Sequence, residues 1–176
     1  MEAEGSYEGY GRDPSALLER VFEQMHRQRF AGLPFLNQRL RVEAIGFTRR
    51  CDCWAGILVT PWLINLMLVP CSGQPWRSVA EGTRSRWRFP AGDLECESGW
   101  ETGLGPYQMC SLVAPVTRIP DQATARLIAR RCLSALLTLR RPSDVPTSHP
   151  ADGRYHPPAK RGLHTCSRRR FLGLGR

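Results

Sequence analysis

The strongest constraint on this chain is a run from Cys53 to Trp76, 24 residues long, that contains no charged side chain. Its centre, residues 54–70, has the sequence WAGILVTPWLINLMLVP. Apolar surface of this extent has to be removed from water, in a protein core, in a membrane or against a partner. The class of protein therefore depends on which of these three covers the run.

The composition of the run disfavours a membrane-spanning helix. Such a helix needs about 20 predominantly apolar residues, whereas residues 54–69 are fewer and are interrupted by Gly56, Pro61 and Asn65. The first residues, Met1–Gly11, are acidic and polar and lack the apolar stretch of a signal peptide. We therefore expect a cytoplasmic protein without an integral membrane segment.

The same interruptions predict two buried segments that meet at a turn. Proline removes a backbone donor and disfavours a helical conformation in the residue before it. A strand at Ile57–Val59 is therefore expected to stop at Thr60-Pro61. A second apolar segment, Trp62–Val69, then continues to Pro70. Short apolar runs separated by such a break are typical of buried strands.

Helical periodicity is found on both sides of the run. Asp13-Pro14 is a favourable helix start, and the first helix is predicted to end near Arg29. A second helix is predicted to open at Asp121. Each helix has one apolar face: Leu17, Leu18, Val21, Phe22 and Met25 in the first, and Leu127, Ile128, Cys132, Ala135, Leu136 and Leu139 in the second.

Alternating apolar and polar residues predict further strands at 40–47, 93–97 and 107–113, whereas residues 71–92 are predicted to be a loop. The order helix, strands, helix is typical of the α+β class. We predict an antiparallel sheet of about four to five strands, with the N-terminal and C-terminal helices packed on one face. The predicted divisions are a flexible N-terminus (1–12), the α+β domain (13–140) and a flexible basic tail rich in Pro and Arg (141–176).

The net charge of +9 is mostly a property of the tail. Residues 140–176 hold nine Lys and Arg against two Asp, and the rest of the chain is close to balanced. Nucleic-acid-binding domains carry their basic residues on a folded face or groove. The distribution therefore argues against a folded domain that binds nucleic acid, although a basic tail that binds it stays open as a minor alternative.

Candidate chemistry in the sequence is sparse. The seven cysteines are odd in number and are expected to be reduced. Cys51 and Cys53 form a C-x-C pair, but a structural zinc site usually needs four ligands, and no second close pair follows. Three of the four histidines lie in the tail, and the chain has no recognised catalytic motif. We predict neither a metal site, nor a cofactor, nor enzymatic activity.

Two charged segments are candidates for partner binding. Asp93, Glu95 and Glu97 alternate with Leu94 and Cys96, so the three carboxylates are expected on one side of a strand. The segment Ser167–Leu172, with the sequence SRRRFL, matches the S-R-R-x-F-L consensus of twin-arginine export signals but lies far from the N-terminus. We hypothesise that this segment mimics a twin-arginine signal and docks on the acidic row.

Several short motifs together resemble the HybE/HupJ/HoxT family of assembly chaperones for nickel–iron uptake hydrogenases. The resemblance covers about residues 13–140 and returns at the C-terminal motif. It is carried by Val59-Thr-Pro-Trp62 with the apolar run to Pro70, the Pro90-Ala-Gly92 turn, the strand Tyr107–Leu112 before Pro115, and the closing Arg-Arg-Arg-Phe-Leu-Gly.

The resemblance implies a cytoplasmic, non-catalytic protein that binds hydrogenase precursors before twin-arginine export. The implied partners are the large-subunit precursor, the small-subunit precursor with its twin-arginine signal, and a rubredoxin-like accessory protein. A chaperone needs exposed apolar surface, for which the candidate residues are Trp62, Leu63 and Trp76. In the tail the candidates are Arg168, Arg169, Phe171 and Leu172. The alternative is a thiol- or metal-handling accessory protein that protects hydrogenase cofactors during assembly.

Overall fold

A computed structural model describes residues 8–50, 52–74, 76 and 79–137 of the chain. These residues form one antiparallel sheet of six strands in the order β1-β2-β3-β6-β5-β4. The strands are β1 (Glu43–Arg49), β2 (Cys53–Val59), β3 (Ile64–Pro70), β4 (Arg84–Phe89), β5 (Gly92–Glu101) and β6 (Gly105–Val113). Two three-stranded meanders thus join through the pairing of β3 with β6.

The charge-free run forms the hairpin of β2 and β3. Every residue of β3 is buried, and so is every residue of β2 except the half-buried Trp54. The turn is closed by Thr60, whose N–H donates to the Leu63 carbonyl at 2.9 Å. The prediction of two buried segments that meet at Thr60-Pro61 is confirmed. No helix among the described residues is long and apolar enough to cross a membrane.

The sheet lies between two helices, α1 (Ser15–Met25) and α2 (Gln122–Leu137). Phe22 of α1 makes an edge-to-face contact with Tyr107, at 6.0 Å between ring centroids. Ala125 and Ala129 of α2 belong instead to the cluster formed by Ile57, Leu66 and the other side chains on the opposite face. The prediction that both helices pack on one face is therefore wrong. Strands buried on both faces need a covering layer on each.

The second error concerns residues 71–92, which were predicted to be a loop but contain β4. Its sequence, RSRWRF, alternates between exposed and more buried side chains. The three exposed positions are all arginine, so the apolar signal consists only of Trp87 and Phe89. These two side chains pack in or against the same cluster as α2. Pairing with β5 supplies the rest of the strand's stabilisation, and a single strand's composition does not reveal that pairing.

The helix ends differ from the predictions by small amounts. The helix α1 starts at Ser15, one residue later than predicted, and Asp13 accepts the Ser15 N–H at 2.9 Å. A π-helical turn, His26–Phe30, follows α1 directly. In α2 the buried face is rotated: Leu127 and Ala135 are exposed, whereas Ala125, Ala129 and Leu133 point inward. Leu139, predicted on the same face, lies outside the described residues.

A buried asparagine connects three segments at one end of the sheet. The Asn37 Nδ2 donates to the carbonyls of Val116 and Ile119, at 2.9 and 2.7 Å. The Asn37 N–H donates to the Pro61 carbonyl at 2.8 Å. A buried carbonyl that loses its donor pays the cost of desolvation without a hydrogen bond. Asn37 therefore holds the β2–β3 turn against the segment that leads from β6 to α2.

Asn37→Ala is expected to lower the free energy of unfolding by about 2 kcal/mol, because two buried carbonyls lose their donor. Urea titration followed by tryptophan fluorescence measures this change. Gln38→Ala is the matched control, since Gln38 is the exposed neighbour. Equal unfolding midpoints for the two variants would contradict the role assigned to Asn37.

Candidate partner-binding surface

The Thr60–Leu63 turn places Trp62 in the interior. The Trp62 ring stacks on Phe30 with a centroid distance of 4.4 Å and an interplanar angle of 2°. The His26 ring is a second neighbour of Trp62, with a distance of 5.7 Å between the ring centroids. Only 8% of Trp62 is exposed. Its ring therefore joins the β2–β3 hairpin to the π-helical turn rather than forming exposed surface, and Leu63 beside it is half-buried.

Trp100 supplies the exposed aromatic surface that the sequence analysis assigned to other tryptophans. It is 56% exposed and lies near the end of β5, opposite Pro106 of β6. Strict alternation places it on the same face as Cys96 and Ser98, which are buried. The strand extends beyond the cover on that face, so alternation alone could not distinguish Trp100 from a core residue. The turn at Gly103 is the sequence feature that indicates the end of the strand, and hence the exposure of Trp100.

The hairpin that carries Trp100 is braced by the segments before and after α1. Arg29 donates to both carboxylate oxygens of Glu101, at 2.8 and 3.0 Å. The Tyr10 hydroxyl donates to the Leu104 carbonyl. Bidentate arginine–carboxylate pairs restrict geometry as well as contributing energy. Trp100 is therefore presented from a fixed hairpin, and a partner would lose little conformational entropy in contacting it.

Trp76 has an intermediate position. Its ring lies 5.7 Å from that of Trp87 at an angle of 32°. Both rings are half-buried and pack against the core cluster on the α2 side of the sheet. Trp76 therefore covers the core with one part of its surface and leaves another part accessible.

The acidic row of β5 lies beside a row of arginines. Antiparallel pairing places Arg88 opposite Asp93, Arg86 opposite Glu95 and Arg84 opposite Glu97. Two ion pairs are within range, Arg84 to Glu95 at 3.6 Å and Arg88 to Asp93 at 3.4 Å. Opposite charges across two strands stabilise the pairing modestly. The acidic residues share one side of the sheet as predicted, but β4 already compensates much of their charge.

A second feature lies between β1 and α2. Glu43 accepts hydrogen bonds from Arg126 and Gln122, each at 2.6 Å. Burial alone would raise the pKa of Glu43, but these hydrogen bonds and the charges of Arg126 and Arg41 hold the pKa below its ordinary value. An open groove of about 510 Å³ runs beside this contact. It is lined by Glu43, Ala44, Ile45, Gly46, Arg130, Leu133, Ser134 and Leu137.

Comparison with known proteins decides the family. The family model described as NiFe-hydrogenase assembly, chaperone, HybE matches residues 13–174. The chain belongs to this family. The family's described role is that of a chaperone in assembly, which is not a catalytic role. The resemblance drawn from the Thr-Pro-Trp turn and the Tyr107–Leu112 strand is thereby confirmed.

Individual members of the NiFe-hydrogenase assembly chaperone family agree with this assignment. HoxT of Cupriavidus necator is 36% identical over 130 residues, covering 68% of this chain and 73% of HoxT. A protein of Rhodobacter capsulatus named probable rubredoxin HupJ is 29% identical over 115 residues, covering 65% of this chain and 41% of HupJ. The solution structure of HybE from Escherichia coli shows the same fold, with a TM-score of 0.65 at 22% identity and coverage of 91% and 97% of the two chains.

The thiols of this family member bear on the thiol- or metal-handling alternative. Burial raises the pKa of Cys96 to about 12, with smaller contributions from the neighbouring Cys110 and Cys53 thiols. The thiolate is the form that binds metals and attacks disulfides, so Cys96 is inert at neutral pH. Among the described residues, no group of three or more His, Cys, Asp and Glu side chains could hold a metal ion. Cys51 and the tail candidates Arg168, Arg169, Phe171 and Leu172 lie outside the described residues.

Alkylation with iodoacetamide at pH 8 is expected to leave Cys96 unmodified in the folded protein and to modify it after unfolding. Folding raises the pKa of Cys96 from 9.0 to about 12. The stability that the protonated Cys96 thiol contributes is therefore present below pH 9 and is lost as the pH rises toward 12. Peptide mass spectrometry measures the modification, and the half-buried Cys132 is the internal comparison. Rapid labelling of Cys96 in the folded state would support the thiol alternative.

Proposed function

We propose that this protein is a cytoplasmic assembly chaperone for a membrane-bound nickel–iron uptake hydrogenase. It binds the large-subunit precursor and the small-subunit precursor, the latter with its twin-arginine signal, before export. Membership of the HybE family supports this role. A rubredoxin-like accessory protein is a further proposed partner, supported by the name of the R. capsulatus relative.

The observation that carries the proposal at residue level is the exposed ring of Trp100 on a braced hairpin. Tryptophan is among the residues that dominate binding energies at protein interfaces, chiefly where it enters a dry pocket on the partner. An incompletely assembled subunit exposes apolar surface that its mature partner later covers. Trp100 can cover such surface, and polar residues such as Glu101 and Thr102 follow it directly. Trp76 and Leu63 contribute their accessible parts, whereas Trp62 supports the fold.

A pull-down with the full chain from cells that carry the hydrogenase operon tests the function directly. Mass spectrometry is expected to identify at least one of the two hydrogenase precursors. Enrichment of neither polypeptide would contradict the proposed function. Recovery of a rubredoxin-like protein in the same experiment would support the third partner, and its absence would remove that partner alone.

Trp100→Ala is expected to weaken binding of the captured precursor at least tenfold, because an aromatic anchor at an interface contributes about 2 kcal/mol or more. Isothermal titration calorimetry measures the affinity, and thermal melting is expected to be unchanged because the ring is exposed. Leu127→Ala is the matched control, since Leu127 is 51% exposed on a different element. Equal affinities for the two variants would contradict the assignment of Trp100.

We further propose that Asp93, Glu95 and Glu97 contact the basic part of the client's twin-arginine signal. In that complex the arginines of the signal would compete with those of β4 for the same carboxylates. A peptide of the signal is expected to bind the wild-type protein more tightly than Glu95→Gln, in fluorescence anisotropy at low salt, where exposed charges are least screened. The control peptide has Gln in place of both arginines. Equal binding of the two peptides would contradict this contact.

A further inference from the structure

The two edges of the sheet differ in how they are protected. At β1, the Ala44 N–H donates to the Glu19 carboxylate at 2.9 Å. Gly46, at φ +67°, marks an irregularity in the pairing of β1 with β2. Side-chain cover and bulges are two ways in which sheets prevent further strand pairing. Before β4, Gly82 at φ +79° and Thr83 both bond Ser98 as a β-bulge, whereas Arg84–Phe89 pair with β5 without a shift in register. Among the described residues, the outer edge of β4 is therefore the more regular template for an additional strand.

The ladder between β4 and β5 identifies which backbone groups of β4 face outward. The Ser98 N–H donates to the Thr83 carbonyl at 2.8 Å, so Thr83 directs its backbone toward β5. In an antiparallel ladder the direction alternates with each residue. The N–H and C=O groups of Arg84, Arg86 and Arg88 therefore point away from β5. These groups are available for pairing with a strand laid beside β4.

The side chains at the same three positions determine which strand fits. The arginines lie outside the acidic row, and the Arg88 side chain is 88% exposed whereas that of Asp93 is 38% exposed. Arg86 makes no ion pair within the described residues. Residues directly opposite each other on adjacent strands share a face of the sheet. A strand beside β4 with carboxylates opposite the arginines would place the arginine row between two acidic rows.

The same arrangement disfavours pairing with a second copy of this chain. A two-fold antiparallel contact between two β4 edges would place arginine opposite arginine at each outward position. Like charges directly opposite each other destabilise strand pairing. The charge pattern therefore rejects self-association and selects an acidic partner, a form of specificity that uses repulsion as well as attraction.

We propose that the outer edge of β4 accepts an extended polypeptide segment with acidic residues at alternate positions, which adds to the sheet as a seventh strand. Main-chain hydrogen bonds at Arg84, Arg86 and Arg88 supply affinity, and the side chains of these residues select the acidic sequence. The inference rests on the proposed function in one respect, namely that the segment belongs to a client polypeptide. Strand addition itself does not require that client to be a hydrogenase subunit.

Synthetic peptides test strand addition separately from the chaperone role. The probe alternates Glu with Thr or Val, and two controls replace Glu by Gln or scramble the same composition into blocks. Fluorescence anisotropy with the full chain is expected to detect binding of the alternating Glu peptide only. Equal binding of the scrambled peptide would overturn the proposal, because it would indicate charge attraction without register. No binding of any peptide would overturn it as well, whatever the pull-down result.

Variants at Arg86 distinguish the contribution of the side-chain charge to binding from that of the backbone N–H. Arg86→Glu is expected to weaken binding about tenfold and Arg86→Gln about threefold, since cross-strand charge pairs contribute modestly. Arg86→Pro also removes the outward N–H, which an edge strand tolerates, and is expected to bind more weakly than Arg86→Gln. Equal affinities for these last two variants would overturn the proposal. Arg118→Glu, an exposed arginine in the segment after β6, is the matched control and is expected to bind as the wild type does.

Amide hydrogen exchange of the wild-type protein provides a second measurement that needs no variant. Binding of the acidic peptide is expected to slow exchange at the amides of Arg84, Arg86 and Arg88. The amide of Thr48, in the opposite edge strand, is expected to be unchanged. Protection at none of the three arginine amides would overturn the proposal even if the peptide binds.

Discussion

The central hairpin of β2 and β3 has no polar face, and the rest of the fold follows from that constraint. Most antiparallel strands in small domains bury one face and expose the other. Here the side chains on both faces of β3 are buried, from Ile64 to Pro70. One helix cannot cover both faces of a sheet. The chain meets the constraint by placing α1 on one face and α2 on the other, with β1 and β6 protecting the hairpin's two edges.

This constraint explains why the Val59–Trp62 segment, on which the resemblance was partly based, has a structural role. Thr60 closes the turn between the two buried strands, and Trp62 stacks on Phe30 just after α1. Asn37 binds the Pro61 carbonyl and the segment before α2. The turn is therefore the point at which both helical layers are tied to the sheet. Resemblance at this segment therefore reflects the packing of the hairpin and its two covering layers.

The sequence predicted the parts of the fold whose signal is apolar and local. The hairpin, both helices and the α+β class follow from periodicity and from Pro61. β4 was missed because three of its six residues are arginine and its stability comes from pairing with Asp93–Glu97, which is a relation between segments. Leu127 was misassigned and Trp100 was not singled out, for a related reason. Periodicity gives the face on which a side chain lies, but not how far the covering layer extends over that face.

The two meanders differ in how completely they are covered. β2 and β3 are covered on both faces, so substitutions there disturb the core. The second meander is covered incompletely: its β4 arginines, the acidic row and Trp100 are accessible. Changes at these positions cost little folding energy, since exposed residues contribute little to stability. Under the proposed function, substitutions in β4 and β5 would therefore alter client binding while the hairpin of β2 and β3 keeps the same packing.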